Sequence, residues 1–179
     1  NMGHALALKL DTDLFALATA ANITRVVNAS TAGVKSSDLE SAIGVIESMD
    51  VPREECMFYF EPKAYFGEVL AVQKLYDASQ FGKASVIEGT HDQVYGVPLS
   101  LSNNMLQPNA SIEGGNSRNL LIHNRAWAFA LGNLPGGLPS GVRLQEKESE
   151  NLRVTVVGDI MYGVKTVGAS LRSVRIIGK

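Results

Sequence analysis

One cysteine, Cys56, stands in a chain of 179 residues, so no internal disulfide is available. A buried small hydrophobe is the role that a lone cysteine of this kind takes. No apolar run reaches the roughly 18 residues that a membrane-spanning helix needs, and no membrane partner is expected. Charge of either sign is also scarce as an excess: 16 Lys and Arg against 18 Asp and Glu leave a net −2. That balance supplies no global basic field for nucleic acid or an anionic surface. The sequence also lacks a nucleophile beside a base, a paired set of carboxylates and a metal-ligand spacing. The expectation is therefore no enzyme, with no catalytic, cofactor-binding or metal residue to assign and no cofactor.

What is present is ordinary globular composition, 45% hydrophobic and 19% charged with a mean hydropathy of +0.05. That suffices for one sizeable core, or two small lobes sharing one. Three glycosylation-like triplets, at Asn22, Asn28 and Asn109, are chance matches in the absence of a signal peptide. The chain opens on Asn1 rather than methionine and runs straight into helical pattern, so it is expected to be the C-terminal part of a longer protein.

The periodicity predicts a helix over Met2 to Ala21, where Leu6, Leu10, Leu14, Leu17 and Ala21 share one face. Leu8 and Phe15 lie on another face, which predicts burial between layers or between subunits. Asp11 and Asp13 point about 200° apart on such a helix, so they read as solvated or ion-paired carboxylates rather than a metal pair. A polar stretch over 22–35 follows, with a short strand at Arg25–Val27. Ser37 and Glu40 have the form of a capping box for a helix over Ser37–Met49, closed by Asp50-Val51-Pro52. Cys56–Phe60 predicts a buried strand and Pro62 opens a helix whose face carries Tyr65, Phe66, Val69, Leu70, Val72 and Tyr76. That stripe reads as core, not as a cofactor box.

Glu88 to Asn104, EGTHDQVYGVPLSLSNN, is the stretch around which the rest is organised, a turn followed by a strand over 94–102 and a polar break. His91 and Asp92 are adjacent and read as a turn, because neighbours on an extended chain face opposite ways. Asn103–Arg118 reads as loop, and Gly114–Ser117 lacks the lysine of a phosphate loop. Residues 119–131 read as strand first and as helix after Asn124, with His123 a hydrogen-bonded structural histidine. Gly132–Gly141, GNLPGGLPSG, is a contact-loop candidate, as is Gln107–Arg118. The remainder predicts antiparallel strands at 142–146, 152–157, 164–167 and 171–177, with a charged turn over 146–150 and with Arg172 and Arg175 outside.

In this order the chain resembles the tailed-bacteriophage major capsid protein, the Hong Kong phage capsid fold. HALALKLDTDL is similar to the spine helix, and VPREECMFYFEPKAYFGEVL to the run of strand and proline-led helix. GVPLSLSNNM resembles the central strand and break, and MYGVKTV with VRII the closing segment. The resemblance implies an α+β fold with a spine-helix peripheral lobe and an axial lobe built on a central sheet with flanking helices. Its divisions fall at 1–32, 33–157 and 158–179, the last returning to the peripheral lobe. The N-terminal arm and the extended loop of the family have no counterpart here. Its Lys–Asn crosslink therefore cannot be assigned to any residue.

The implied function is structural: a head subunit that self-assembles into pentamers and hexamers of an icosahedral virion shell enclosing DNA, made in the bacterial host cytoplasm. Implied partners are further copies of the chain, with scaffolding, portal or decoration proteins, and packaged DNA held without specific recognition. An encapsulin-type compartment shares the fold and differs in its cargo. A small α/β enzyme or ligand-binding domain is the rival of another class, for which His123 and Asp159 are the unexplained polar residues.

Overall fold

The computed structural model describes residues 2–28, 33–69, 93–105, 118–132, 142–148 and 154–177. Helix α1 spans Met2–Phe15 and stops six residues short of the expected end at Ala21. The chain tightens there: the Leu17 amide donates to Leu14 O at 3.1 Å and the Ala18 amide to Phe15 O at 2.9 Å. Asn22 then donates from Nδ2 to Leu17 O at 2.8 Å, taking a carbonyl that a longer helix would have used. Phe15 is the helix's one buried residue, so the expected burial around most of its circumference is not met within this chain.

Strand β1, Val26–Asn28, leads to α2, Ser36–Glu47, which buries Leu39, Ala42, Ile43 and Ile46 at helical spacing. Its start is capped two residues earlier than expected, by the Lys35 amide donating to Asp38 Oδ2 at 2.8 Å. Glu40, the residue expected in that role, instead accepts from the Tyr95 hydroxyl at 2.7 Å. Asp50, at φ 57, breaks the helix before Val51-Pro52. Strand β2, Cys56–Phe60, has the alternating burial of a strand with two different faces. The proline-led helix α3, Pro62–Ala64, widens at once into a π turn over Tyr65–Val69. The rest of the expected helix, through Tyr76, lies outside the described residues.

The organising stretch is a hairpin, not one strand over 94–102. Tyr95 (φ 52) and Gly96 (φ 80) form the tight turn between β3, Gln93–Val94, and β4, Val97–Leu101. Two consecutive positive φ angles suit the right-handed twist of the flanking strands. His91, Asp92, Gly114–Ser117 and the loop candidates over 107–117 and 133–141 lie outside the described residues.

Strands β5, Arg118–His123, and β6, Trp127–Leu131, are separated by a turn, so no helix follows Asn124. Strands β7, Val142–Glu148, and β8, Val154–Ile160, pair antiparallel, so the charged residues Glu146, Lys147 and Glu148 are strand, not turn. Strand β9, Tyr162–Thr166, precedes a short helix α4, Ala169–Arg172, and the last strand β10, Ser173–Ile177.

A mixed six-stranded sheet has the order β1-β10-β5-β2-β4-β3. Its centre is β5 and β2, and β4 lies next to the edge, which corrects the central place expected for GVPLSLSNN. Strand β10 runs parallel to β1 and antiparallel to β5. The sheet thus draws β1 from the first expected division, β10 from the last and four strands from the middle one.

One face of the sheet packs Phe58, Phe60, Leu121, Val174 and Ile176 against α2 and the Tyr65–Val69 turn. The other packs Leu120 and Ile122 against Phe15, Ala18 and Ile23 at the end of α1. Because β10 is covered on both faces, Arg175 is 6% exposed, against the expectation that it lies outside. Its Nε donates to Ile23 O at 3.1 Å, which satisfies a charged donor that burial would otherwise penalise.

Candidate functional site

Among the described residues no group of three or more His, Cys, Asp or Glu could hold a metal ion. No described helix is long and apolar enough to cross a membrane. The two helical carboxylates go separate ways, as two residues two apart on a helix must. Asp13 accepts from Lys9 Nζ at 2.6 Å and from the Tyr162 hydroxyl. Asp11 accepts from Asn104 Nδ2 and from Ser102 Oγ, the latter at 3.4 Å. The Lys9 and Tyr162 hydrogen bonds hold the Asp13 carboxyl below its ordinary range, and Asp13 in turn raises the Tyr162 phenol. Between them these contacts tie α1 to β9 and to the break after β4.

His123 ends β5 and is buried, 5% exposed. Its Nδ1 accepts the Arg125 amide at 3.1 Å, and its Nε2 lies 3.2 Å from Glu55 Oε2. This is a histidine engaged on both nitrogens. Open cavities of about 370 and 330 Å³ flank it, the first lined also by Cys56, Met57 and Trp127, the second by Asp50, Arg125 and Arg172. Asp159 lines neither cavity. It is half-buried on β8, in register with Arg143, and has an interaction of its own. The structure does not bring the two unexplained polar residues together. Cys56 is buried as expected, and burial, with Glu55 and Glu54 nearby, pushes its thiol up to about 11, away from a reactive thiolate.

The larger features are surfaces. Along α1 Met2 is 36% and Leu8 44% exposed. Beside them Leu6, Leu10, Asn104 and Ile160 line a shallow groove of about 680 Å³. Strands β6 and β9 form a two-stranded ribbon outside the main sheet, and Phe129, Leu131 and Met161 stand exposed along it. The two small sheets are consecutive: Leu131 pairs with Tyr162, the Gly132 amide donates to Met161 O at 2.8 Å, and Val142 pairs with Ile160. Residues 132 and 142 therefore lie opposite the adjacent residues Met161 and Ile160, where β8 gives way to β9. The sequence held one signal for the ribbon, alternating Trp127, Phe129 and Leu131, and its alanines pointed to helix instead. Nothing in the sequence paired Tyr162 with Asp13.

No family model and no curated protein matches the sequence. Likeness is found in three dimensions. The capsid structure of the cyanophage P-SCSP1u superposes with a TM-score of 0.72 at 18% identity, over 98% of this chain and 63% of that one. A structure from Mycobacterium phage Che8 gives a TM-score of 0.73 at 17% identity, over 97% of this chain and 60% of that one. The holo-SrpI encapsulin complex from Synechococcus elongatus gives 0.61 at 14% identity, over 97% and 61%. The fold is α+β and is that of the phage major capsid protein, as the resemblance implied. The chain spans about three fifths of the length of the structures it matches.

Proposed function

We propose that the chain is a shell subunit, a major capsid protein that assembles with copies of itself into pentamers and hexamers of an icosahedral phage head enclosing DNA. The observation that carries this reading is the agreement of fold with capsid and shell structures over 97% or more of the chain. Support comes from the apolar residues that α1 and the β6–β9 ribbon leave uncovered, since stable contacts between subunits need apolar area of this kind. The role is structural, not catalytic. The protein resides in the virion, is made in the host cytoplasm, and meets DNA without sequence-specific contacts. Scaffolding, portal or decoration proteins are its further partners.

The lobes we propose keep the divisions at 1–32, 33–157 and 158–179. On these divisions β1 and β10, which pair in parallel, belong to one lobe, and the antiparallel pairing of β10 with β5 joins it to the other.

A second reading has its own observation, the fold shared with the SrpI encapsulin. In that case the shell encloses a protein cargo. Electron microscopy of the purified protein tests both. Closed uniform shells are expected, and their contents separate a phage head from a cargo compartment. A product that stays monomeric or dimeric at every concentration and salt, with and without a scaffolding partner, overturns the proposal.

A further inference from the structure

Strand β5 belongs to the six-stranded sheet and β6 to the outlying ribbon, and the chain passes between them through Asn124, Arg125 and Ala126. That corner is held by a small set of bonds. The Asn124 amide donates to Glu55 O at 3.0 Å and the Ala126 amide to His123 O at 2.9 Å. The Val167 amide donates to Ala126 O at 2.8 Å, and Arg172 Nη1 to Arg125 O at 3.4 Å. Each of these ends on a carbonyl and is indifferent to a proton in the mildly acid range. The remaining bond differs in kind, because the Arg125 amide donates to the ring nitrogen Nδ1 of His123.

A ring nitrogen accepts a hydrogen bond only while it carries no proton. With Nδ1 accepting, the neutral ring bears its hydrogen on Nε2, which faces Glu55 Oε2 at 3.2 Å. A second proton must enter at Nδ1. It would set two N–H groups against each other where the Arg125 bond now lies, while the Nε2 contact with Glu55 becomes an ion pair. The proton thus breaks the contact to the corner and strengthens the contact to the turn that precedes β2. Histidine is the side chain whose charge changes in this way between neutral and mildly acid solution. The ring also has room to respond, since the cavities of about 370 and 330 Å³ lie on either side of it.

We propose that His123 is a proton-operated latch on the corner between the six-stranded sheet and the β6–β9 ribbon, closed when its ring is neutral and released when it is charged. The groups that face it are Glu54 and Glu55 before β2, Cys56 on β2, Asp50 after α2, Arg125 in the corner itself and Arg172 on α4. The three carboxylates favour the charged ring and the two guanidinium groups oppose it. The latch is a property of the single chain and holds whether or not the chain builds a shell.

The test uses the full chain and two readouts. Trp127 is the sole tryptophan and lines the first cavity with His123, so its emission reports the charge on the ring. Hydrogen exchange of the Arg125 amide, corrected for the intrinsic pH dependence of exchange, reports the corner. Across the pH interval in which the ring's own NMR signals show it to charge, the wild type is expected to lose about tenfold protection at Arg125 together with a change in Trp127 emission, with core amides of β2 unchanged. His123→Asn keeps an acceptor near the Nδ1 position but does not titrate, and it should hold its protection throughout. Loss of the same protection in His123→Asn overturns the proposal. So does an emission change with unaltered exchange at Arg125, which would mean a ring that charges without moving the corner. A neutral-pH ring spectrum with the hydrogen on Nδ1 overturns it too, and that readout does not depend on how any variant folds.

Discussion

Replacing Phe15 by alanine tests how α1 is attached. Phe15 is 4% exposed and is the buried residue of its helix. Its ring meets Tyr59 edge-on at 5.5 Å and Trp127 edge-on at 6.1 Å. Truncating a buried phenylalanine costs about 3–5 kcal/mol, and the two edge contacts place this site in the upper part of that range. For a chain of this size, about 2–4 °C per kcal/mol converts the loss to roughly 6–20 °C in Tm. Leu8, on the same helix but 44% exposed, supplies the contrast. Leu8→Ala should change stability by less than about 0.5 kcal/mol, because alanine is at least as good a helix former and little packing is lost. Urea unfolding followed by Trp127 emission and by far-ultraviolet circular dichroism measures both. A cost below about 1 kcal/mol for Phe15→Ala, or an equal cost for Leu8→Ala, would refute the argument that one aromatic side chain anchors the helix. If the shell proposal holds, Leu8→Ala should instead lower the yield of assembled particles.

Gly33→Ala should cost more than about 1 kcal/mol, since φ is +91° and an added Cβ would sit 2.7 Å from the Glu68 carboxyl carbon. That carboxylate also accepts the Val34 amide at 2.8 Å, so the damage should extend to this link, and thermal unfolding beside Gly96→Ala, where no atom is near, separates collision from strain. The Asp13 carboxyl is held below its unfolded value of 3.8, so its contribution is present above that value and lost as pH falls through the folded one. Asp13→Asn should therefore lower stability at pH 6 and converge with wild type at strongly acid pH, as unfolding curves across that window would register. Cys56, with its thiol near 11 and buried, should resist a thiol reagent at pH 8 in the native state and react at once in denaturant; prompt native labelling would contradict the burial.

The elements legible in the sequence are those where local pattern and tertiary surroundings agree. Helix α2 could be read from Leu39, Ala42, Ile43 and Ile46, because one face meets the sheet and the other meets water. Strand β2 could be read from five apolar residues, of which Cys56, Phe58 and Phe60 are buried in the core. Where surroundings override propensity, reading fails. Ala126, Ala128 and Ala130 favour helix, yet pairing with β9 makes that segment a strand. Arg175 marks an outward position only if one face of its strand is wet, and β10 is covered on both. The leucine spacing of α1 continues past Phe15, but Asn22 takes the carbonyl that would extend it. Of the candidate surface, the apolar residues of α1 were visible; that they stay uncovered was not, since exposure depends on what else the chain folds against.

The position of β10 bears on how the protein can be made. The sheet places this last strand between β1 and β5, pairing Val26 with Arg175 and Ile122 with Ser173. Until residues 173–177 have left the ribosome, β1 lacks the partner it has among the described strands and one edge of β5 is bare. The earlier segments must wait, partly formed, for a strand that is made long after β1. Contacts this distant in sequence make closure slow. A chain cut before Ser173 would keep an open sheet edge, a target for pairing and proteolysis, so completion of the sheet depends on a strand far along the sequence.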